Sequence, residues 1–292
     1  MRLPRISLAT ARDLYRLTKP GIIYGNDIAV IGGFLLASRW RIDVFLLVAT
    51  LLGISFIMAS GCVFNNYIDR DIDAVMERTK HRALVEGRIS AESALLFGAL
   101  LYILGAVILA VFVNLLSLAI AAFGLFVYVF FYSLWSKRYS VHSTVIGALA
   151  GAVPPVIGYT AVTDRLDVAA ILLFAILAVW QLPHAFAIAI YRLKDYSAAE
   201  IPVLPVAYGV RAAKIALSSS VGVFAVAAIF LWVSGYVGIM YLVVISALSF
   251  VWLVLSIRGF NASDDVKWGR SMFLFSLIVL VVFCVMISID AR

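Results

Sequence analysis

Ala59-Ser60-Gly61-Cys62-Val63-Phe64-Asn65-Asn66-Tyr67-Ile68-Asp69-Arg70-Asp71-Ile72-Asp73 is an apolar run that closes on three carboxylates. Asn65, Asp69 and Asp73 recur at i, i+4 and i+8, so a helix stacks their side chains along one face, while Asp71 falls on another. Like charges at that spacing repel, and nothing in folding alone favours them. A divalent cation removes the conflict. Mg²⁺ takes one or two carboxylates, keeps several waters and completes its shell with substrate phosphates. The stretch therefore predicts a long apolar helix ending in a Mg²⁺–diphosphate site at a membrane surface.

Composition extends the membrane reading to the whole chain. Its 292 residues are 64% hydrophobic and 13% charged, more apolar than a soluble domain of this length needs. Long apolar runs give nine candidate spans, at 20–38, 44–66, 92–113, 115–135, 143–162, 168–190, 213–234, 237–257 and 270–289. Continuous apolar runs suit helices, whereas barrel strands would alternate. The expected fold is an all-α integral membrane protein, with about nine transmembrane helices bundled around a central cavity open to the cytoplasmic side. Residues 1–19 read as a basic cytoplasmic segment lying on the membrane, and 20–292 as a single polytopic membrane domain.

Lys and Arg sort the loops. With the N-terminus inside, the inner segments hold nineteen of the 23 basic residues, and the outer side keeps only Arg39, Arg41, Arg165 and Arg292. The positive-inside rule then places the N-terminus in the cytoplasm and the C-terminus outside. The net charge of +7 follows from this asymmetry and contact with anionic lipid, so it does not call for nucleic acid. Cys62 and Cys284 both fall inside apolar spans and imply no disulfide framework.

Two polar loops then face the cytoplasm. The first, from Asp69 to Ser90, follows its acids with Arg78, Lys80 and Arg82, which suit phosphate oxygens and the charge that leaves with them. The second runs from Tyr191 to about Lys214. His184, Ile188, Tyr191 and Asp195 fall on one helical stripe, with Arg192 and Lys194 beside Asp195. Asp195 is expected to meet Asp69 and Asp73 across the cavity. His184 and Gln181, in an apolar segment kinked by Pro183, are costly unless they face a polar interior. Asn26 and Asp27 lie about two turns into the first span, where an ionisable group is a site candidate. Pro154-Pro155 must break or bend the fifth span, and Lys137-Arg138 forms a short inner loop within reach of phosphate.

These features, with Leu17-Thr18-Lys19-Pro20-Gly21-Ile22, Met76-Glu77-Arg78-Thr79-Lys80, Pro154-Pro155-Val156-Ile157-Gly158-Tyr159, Trp180-Gln181-Leu182-Pro183-His184, Tyr191-Arg192-Leu193-Lys194-Asp195-Tyr196 and Ile201-Pro202-Val203-Leu204-Pro205, resemble the intramembrane UbiA-type prenyltransferases, and among them the branch that farnesylates heme. The resemblance covers nearly the whole chain. It implies that farnesyl diphosphate binds with Mg²⁺ on Asn65, Asp69, Asp73 and Asp195, which are also the catalytic candidates. Arg78, Lys80, Arg82, Lys137, Arg192 and Lys194 would steady the phosphates. His184, Tyr191 and Asn26 are the candidates facing heme b. It further implies transfer to the 2-vinyl group with addition of water, giving heme O, in the cytoplasmic (inner) membrane. The implied partners are the lipid bilayer, both substrates and downstream heme-handling or terminal-oxidase assembly proteins.

One departure stands out: Asp195 is the sole aspartate of a loop that is aspartate-rich in many of these enzymes. The alternative reading keeps the same acidic face but gives it an aromatic quinone precursor as acceptor. A cation carrier would instead place its site near the bilayer midplane, away from these helix ends.

Overall fold

The computed structural model describes residues 8–292; residues 1–7 of the basic N-terminal segment, with Arg2 and Arg5, lie outside the described residues. A short helix α1 (Leu8–Leu17) precedes α2 (Pro20–Ser38) and α3 (Val44–Ile68). Then come α4 (Arg70–Val75), α5 (Ala91–Phe112) and α6 (Leu115–Phe126), which runs into a π-helical segment, Val127–Ser136, and a final turn α7 (Lys137–Tyr139). Helices α8 (Ser143–Gly151), α9 (Val153–Thr163), α10 (Val168–Tyr191) and α11 (Leu193–Ala198) lead to the long α12 (Leu204–Val233), α13 (Ile239–Arg258) and α14 (Asp265–Ile289). Among the described residues, nine helical segments are long and apolar enough to cross a membrane. The chain is a multi-pass membrane protein of all-helical architecture.

Polar residues at the ends mark where these helices start. Asp43 accepts from Leu46 N (3.0 Å), Ser90 from Ser93 N (3.2 Å) and Asn114 from Ser117 N (2.7 Å). Each such cap contributes about 1 kcal/mol by satisfying an amide that the helix leaves open. Between Gly151 and Val153 the fifth span breaks at Ala152, and Pro154 and Pro155 occupy the first turn of α9, where their missing N–H groups are harmless.

Two spans begin earlier than the sequence predicts. The seventh starts at Leu204 rather than 213, and the ninth at Asp265 rather than 270. Arg211, Lys214, Lys267 and Arg270 read as loop charges, yet all four ride on helices. Lys214 is buried, and its Nζ donates to Gly259 O (2.6 Å) and pairs with Asp265, tying α12 to the start of α14. Inside α12 the backbone departs from helix at Gly209 (φ 83°, ψ 161°), a conformation open to glycine and strained for any other residue.

With apolar lipid outside, helix association rests on close packing and not on hydrophobic burial. The α2–α9 crossing shows it: a Cβ on Gly33 would lie 1.9 Å from Pro155 O, and one on Gly158 2.0 Å from Val30 O. On the other flank α10 packs against α12 and α14 through Leu173, Leu177, Trp180, Leu217, Phe224 and Phe283. Helices α2, α3, α6 and α8–α10, together with the π-helical segment, leave a cavity of about 320 Å³ between them.

Candidate active site

The chain leaves α3 at Asp69 (φ −88°, ψ 6°) and re-enters helix at once in α4. Hydrogen bonds from Asp69 N to Asn65 O (2.9 Å) and from Asp73 N to Asp69 O (2.7 Å) carry the register through the joint. Asn65, Asp69 and Asp73 therefore share a face, and they are 4%, 1% and 3% exposed. Buried carboxylates need partners; Asn65, Lys137 and Arg82 supply them, and Ser133 and Lys19 hold Asn65 in turn. Asn65 Nδ2 donates to Asp69 Oδ2 (2.8 Å) and to Ser133 Oγ (3.0 Å). Lys137 pairs with Asp69, and Arg82 pairs with Asp73. Lys19 Nζ donates to Asn65 Oδ1 at 2.5 Å.

Lys19 is absent from the sequence candidates. It sits at the α1–α2 joint in a left-handed conformation (φ 53°), and burial pulls its ammonium from the ordinary lysine range down to about 8. The only local signal is a basic residue ahead of Pro20, on the same side of the membrane as Asp69. Ser133 and Tyr132 were also missed; they come from the π-helical segment, a wider turn often found at functional sites. Asn66 does separate work: its Nδ2 donates to Leu17 O (2.8 Å) and Cys62 O (2.9 Å), fastening α1 to α3.

Asp69 Oδ1 is buried without a hydrogen-bond partner. Among the described residues, no three His, Cys, Asp or Glu side chains gather closely enough to hold a metal unaided. The donor set is thus one amide oxygen with two carboxylates, and it leaves room for water and phosphate oxygens. That set fits a hard cation such as Mg²⁺.

The second loop reaches this centre through Tyr196. It is half-buried, desolvation raises its phenol to about 12, and it lies near Tyr132, Lys137 and Arg78. Ile72 and Met76 of the first loop pack with Ala189 of α10 and with Ile201 and Val203 of the second loop. Asp195 is half-buried and makes no side-chain hydrogen bond or ion pair with the described residues. Arg192 Nε is buried and unpartnered, with its guanidinium 4.8 Å over the Tyr191 ring.

Of the stripe expected from His184, Ile188, Tyr191 and Asp195, the first three share α10 and Asp195 is cut off from them. Helix α10 ends at Tyr191, and Arg192 (φ −106°, ψ 20°) turns the chain before α11. Of the four, Ile188 lines the cavity. His184 instead stacks on Trp180 (4.9 Å) and hydrogen-bonds through Nδ1 to Ser276 Oγ (2.8 Å); it and Tyr191 both lie against Phe273 of α14. The cavity face of α10 runs Gln181, Ala185, Ile188, and His184 precedes Ala185 by one residue, about 100° round the helix.

Other candidates scatter. Asn26 lines the cavity. Lys80 pairs with Glu77 (2.8 Å) at the surface, and Arg78 and Lys194 are exposed. Asp71, off the shared face, is bound by both arms of Arg138 (2.7 Å each), which holds its carboxyl down to about 2.

The cavity below this centre has Lys137, Tyr132 and Tyr196 at its polar end and Ile54, Ile57, Met58, Leu125 and Val153 along its body. Tyr128 and Tyr132 stack at 5.7 Å on its wall. Its volume falls at the lower end of the about 300–1,000 Å³ typical of ligand sites. Chemically, the arrangement can hold a polyanion against Lys19, Arg82 and Lys137 while an apolar tail runs into the bilayer-embedded part.

The UbiA prenyltransferase family profile matches residues 28–278. The chain is 51% identical, over 279 residues, to a protein from Yersinia pseudotuberculosis serotype O:1b named protoheme IX farnesyltransferase, spanning 96% of this chain and 95% of that one. It is 53% identical to one of the same name from Klebsiella pneumoniae subsp. pneumoniae, over 96% of this chain and 95% of that one. In structure it is similar to a digeranylgeranylglyceryl phosphate synthase studied in membranes (TM-score 0.78, 20% identity, 95% and 98% of the two chains). It is similar also to a UbiA homologue from Archaeoglobus fulgidus bound to GPP and Mg²⁺ (TM-score 0.67, 17% identity, 95% and 100% of the two chains). At those identities the structural likeness speaks for the fold alone.

Proposed function

The chain belongs to the UbiA prenyltransferase family, and on that premise we propose that it moves the farnesyl group of farnesyl diphosphate onto a vinyl group of heme b, with addition of water, to give heme O and diphosphate. The acceptor is inferred from the relatives' activity. The observation that carries the site is Asp69: a buried carboxylate with one oxygen free, between Asn65 and Lys137, at the polar end of an apolar cavity.

In this reading Asn65, Asp69 and Asp73 would hold Mg²⁺, with Asp195 as a further candidate ligand. The ion, when bound, would supply positive charge that stabilises the departing diphosphate. Arg82 and Lys137 pair with the acidic ligands and Lys19 with the Asn65 amide, and all three would serve the diphosphate, with Arg78 near Tyr196 and Arg192 as a further candidate. They stabilise the negative charge that develops as the allylic C–O bond breaks. The vinyl π pair then bonds to farnesyl C1. Tyr128 and Tyr132 present stacked rings to this region, and the apolar wall keeps bulk water from the cation. Residues 20–292 act as one membrane domain in the cytoplasmic membrane, with the polar mouth, Asp69 and Asp195 on the cytoplasmic side.

The test is turnover of purified, detergent-solubilised protein with heme b, farnesyl diphosphate and Mg²⁺, beside Asp69→Ala, followed by mass spectrometry. A heme gaining farnesyl plus the elements of water, absent in the variant and without Mg²⁺, is the expected result. Folded protein that binds farnesyl diphosphate but leaves heme unchanged, and prenylates a hydroxybenzoate instead, overturns the acceptor.

A further inference from the structure

Two amides interrupt the apolar wall of the central cavity: Asn26 on α2 and Gln181 on α10. Each commits its NH₂ to a backbone carbonyl. Asn26 Nδ2 donates to Ile22 O (2.8 Å), and Gln181 Nε2 to Gly151 O (3.4 Å). Position 151 has no side chain to obstruct this: a Cβ there would lie 2.5 Å from Gln181 Nε2. Neither Asn26 Oδ1 nor Gln181 Oε1 has a hydrogen-bond partner among the described residues. Both oxygens therefore stay open to the cavity, deeper than the Lys137 ammonium and the Tyr132 and Tyr196 hydroxyls at its polar end and without a bond to the Ser143 or Thr144 hydroxyls that also line it.

Depth places both below the anionic mouth. Gln181 lies ten residues before the end of α10 at Tyr191 and Asn26 six residues after Pro20. At about 1.5 Å per residue they sit roughly 15 Å and 9 Å inside the helix ends. Both amides are half-buried, and an amide oxygen facing a largely apolar cavity gains from any donor that reaches it. None of the substrates proposed above can donate. The farnesyl chain is hydrocarbon, diphosphate only accepts near its leaving form, and an iron porphyrin has no pyrrole N–H and carries ionised propionates. Water is the one reactant that brings O–H donors.

We propose that Asn26 and Gln181 hold the water that enters the product, an inference that rests on the heme-farnesylation reading. When the vinyl π pair closes the bond to farnesyl C1, the positive charge moves to the carbon joined to the macrocycle. A water whose O–H groups point to the two amide oxygens presents its lone pair to that carbon. The new C–O bond forms from this lone pair, and the surplus proton passes to the diphosphate released in the first step. Atoms and charge balance without any further reactant. A cation that meets no water loses a proton instead and ends as an alkene, lighter by one water. The two amides are positioning residues, and the partition between these products reads their role.

The experiment measures the ratio of hydrated to water-lacking farnesyl heme for wild type, Gln181→Leu, Asn26→Leu and the double variant, in water labelled with heavy oxygen. Wild type is expected to give the hydrated, labelled product. The hydrated-to-alkene ratio is expected to fall by about tenfold or more in the double variant, whatever its total turnover, as one or two lost hydrogen bonds would produce. A merely structural role would lower both products together. An unchanged ratio, or loss of both products in all three variants, overturns the assignment of the water. Wild type that makes no farnesylated heme at all overturns the underlying reading instead.

Discussion

Asp69 joins burial, one cationic partner and one free oxygen in a single side chain, and each property has a separate consequence. Asp69→Asn keeps the shape and removes the charge, so kcat/KM for farnesyl diphosphate is expected to fall by about 10²-fold or more, measured at saturating Mg²⁺. Lys19 holds no carboxylate, so Lys19→Met leaves no buried charge unpaired; its loss is that of a charged hydrogen bond, about 1.5–3 kcal/mol. The expected result is a rise in KM for farnesyl diphosphate, with the melting temperature lowered by less than in Lys137→Met. Lys137→Met differs: it strands the Asp69 carboxylate, a cost of about 3–5 kcal/mol, so the metal-free protein should melt early and Mg²⁺ with diphosphate should restore it. Asp71 is the control at this scale. Its own side chain is more than half exposed to solvent, so Asp71→Asn should cost at most about 1 kcal/mol and leave turnover intact. Because Arg138 depresses this carboxyl in the folded state, the small stabilisation is present above the ordinary aspartate range and is lost as pH falls toward about 2; melts recorded between neutral and acid pH check the sign. The acidic residues are legible in the chain because i, i+4, i+8 is a local pattern. Lys19 and Ser133 are not, since both reach Asn65 across tertiary contacts that leave no periodic trace.

Helices show the same division between local and distant causes. All nine spans are legible from apolar length, and the break at Pro154-Pro155 from proline's missing donor. What misleads is charge used as a boundary. Lys214 looks like the edge of a loop, yet it is buried on α12 and binds the start of α14, a tertiary bond that no window of sequence contains. The pairing of His184 is similar: Phe273 and Ser276, on a helix far along the chain, hold its ring against α14. Helix contacts also locate the most sensitive substitutions outside the site. Gly158 sits where a methyl group would overlap Val30 O, and neither neighbour is a flexible side chain that could yield. Gly158→Ala is therefore expected to force α2 from α9 and cost about 1–3 kcal/mol, lowering the thermal midpoint in detergent. Gly222 faces open space, so Gly222→Ala on α12 should leave the midpoint unchanged or raised by alanine's better helix propensity. Equal losses at the two positions would mean that propensity, and not contact between backbones, sets the response.

Orientation is a property of the whole molecule, since it is decided by all loops together and by no single contact. Asp69, Lys137, Arg192 and Lys267 lie at one end of the bundle by chain order, and Arg41 and Arg165 at the other. In the orientation proposed here, the excess of Lys and Arg at the first end predicts that it faces the cytoplasm. This assignment also decides which compartment loads the diphosphate, because the cavity's charged residue Lys137 and its Tyr196 belong to that end. Thiol labelling in intact cells tests it with little background, as both native cysteines, Cys62 and Cys284, are buried. Arg165→Cys and Lys267→Cys each put a thiol on an exposed position, at opposite ends of the bundle. A membrane-impermeant maleimide is expected to label the first in intact cells once any outer barrier is opened, and the second only after the cytoplasmic membrane is permeabilised. The reverse pattern would turn the molecule over and put Asp69 outside the cytoplasm. In that orientation Lys19, Arg82 and Lys137 would collect diphosphate from the far side of the membrane, and a cytoplasmic supply of farnesyl diphosphate could not reach them without a carrier.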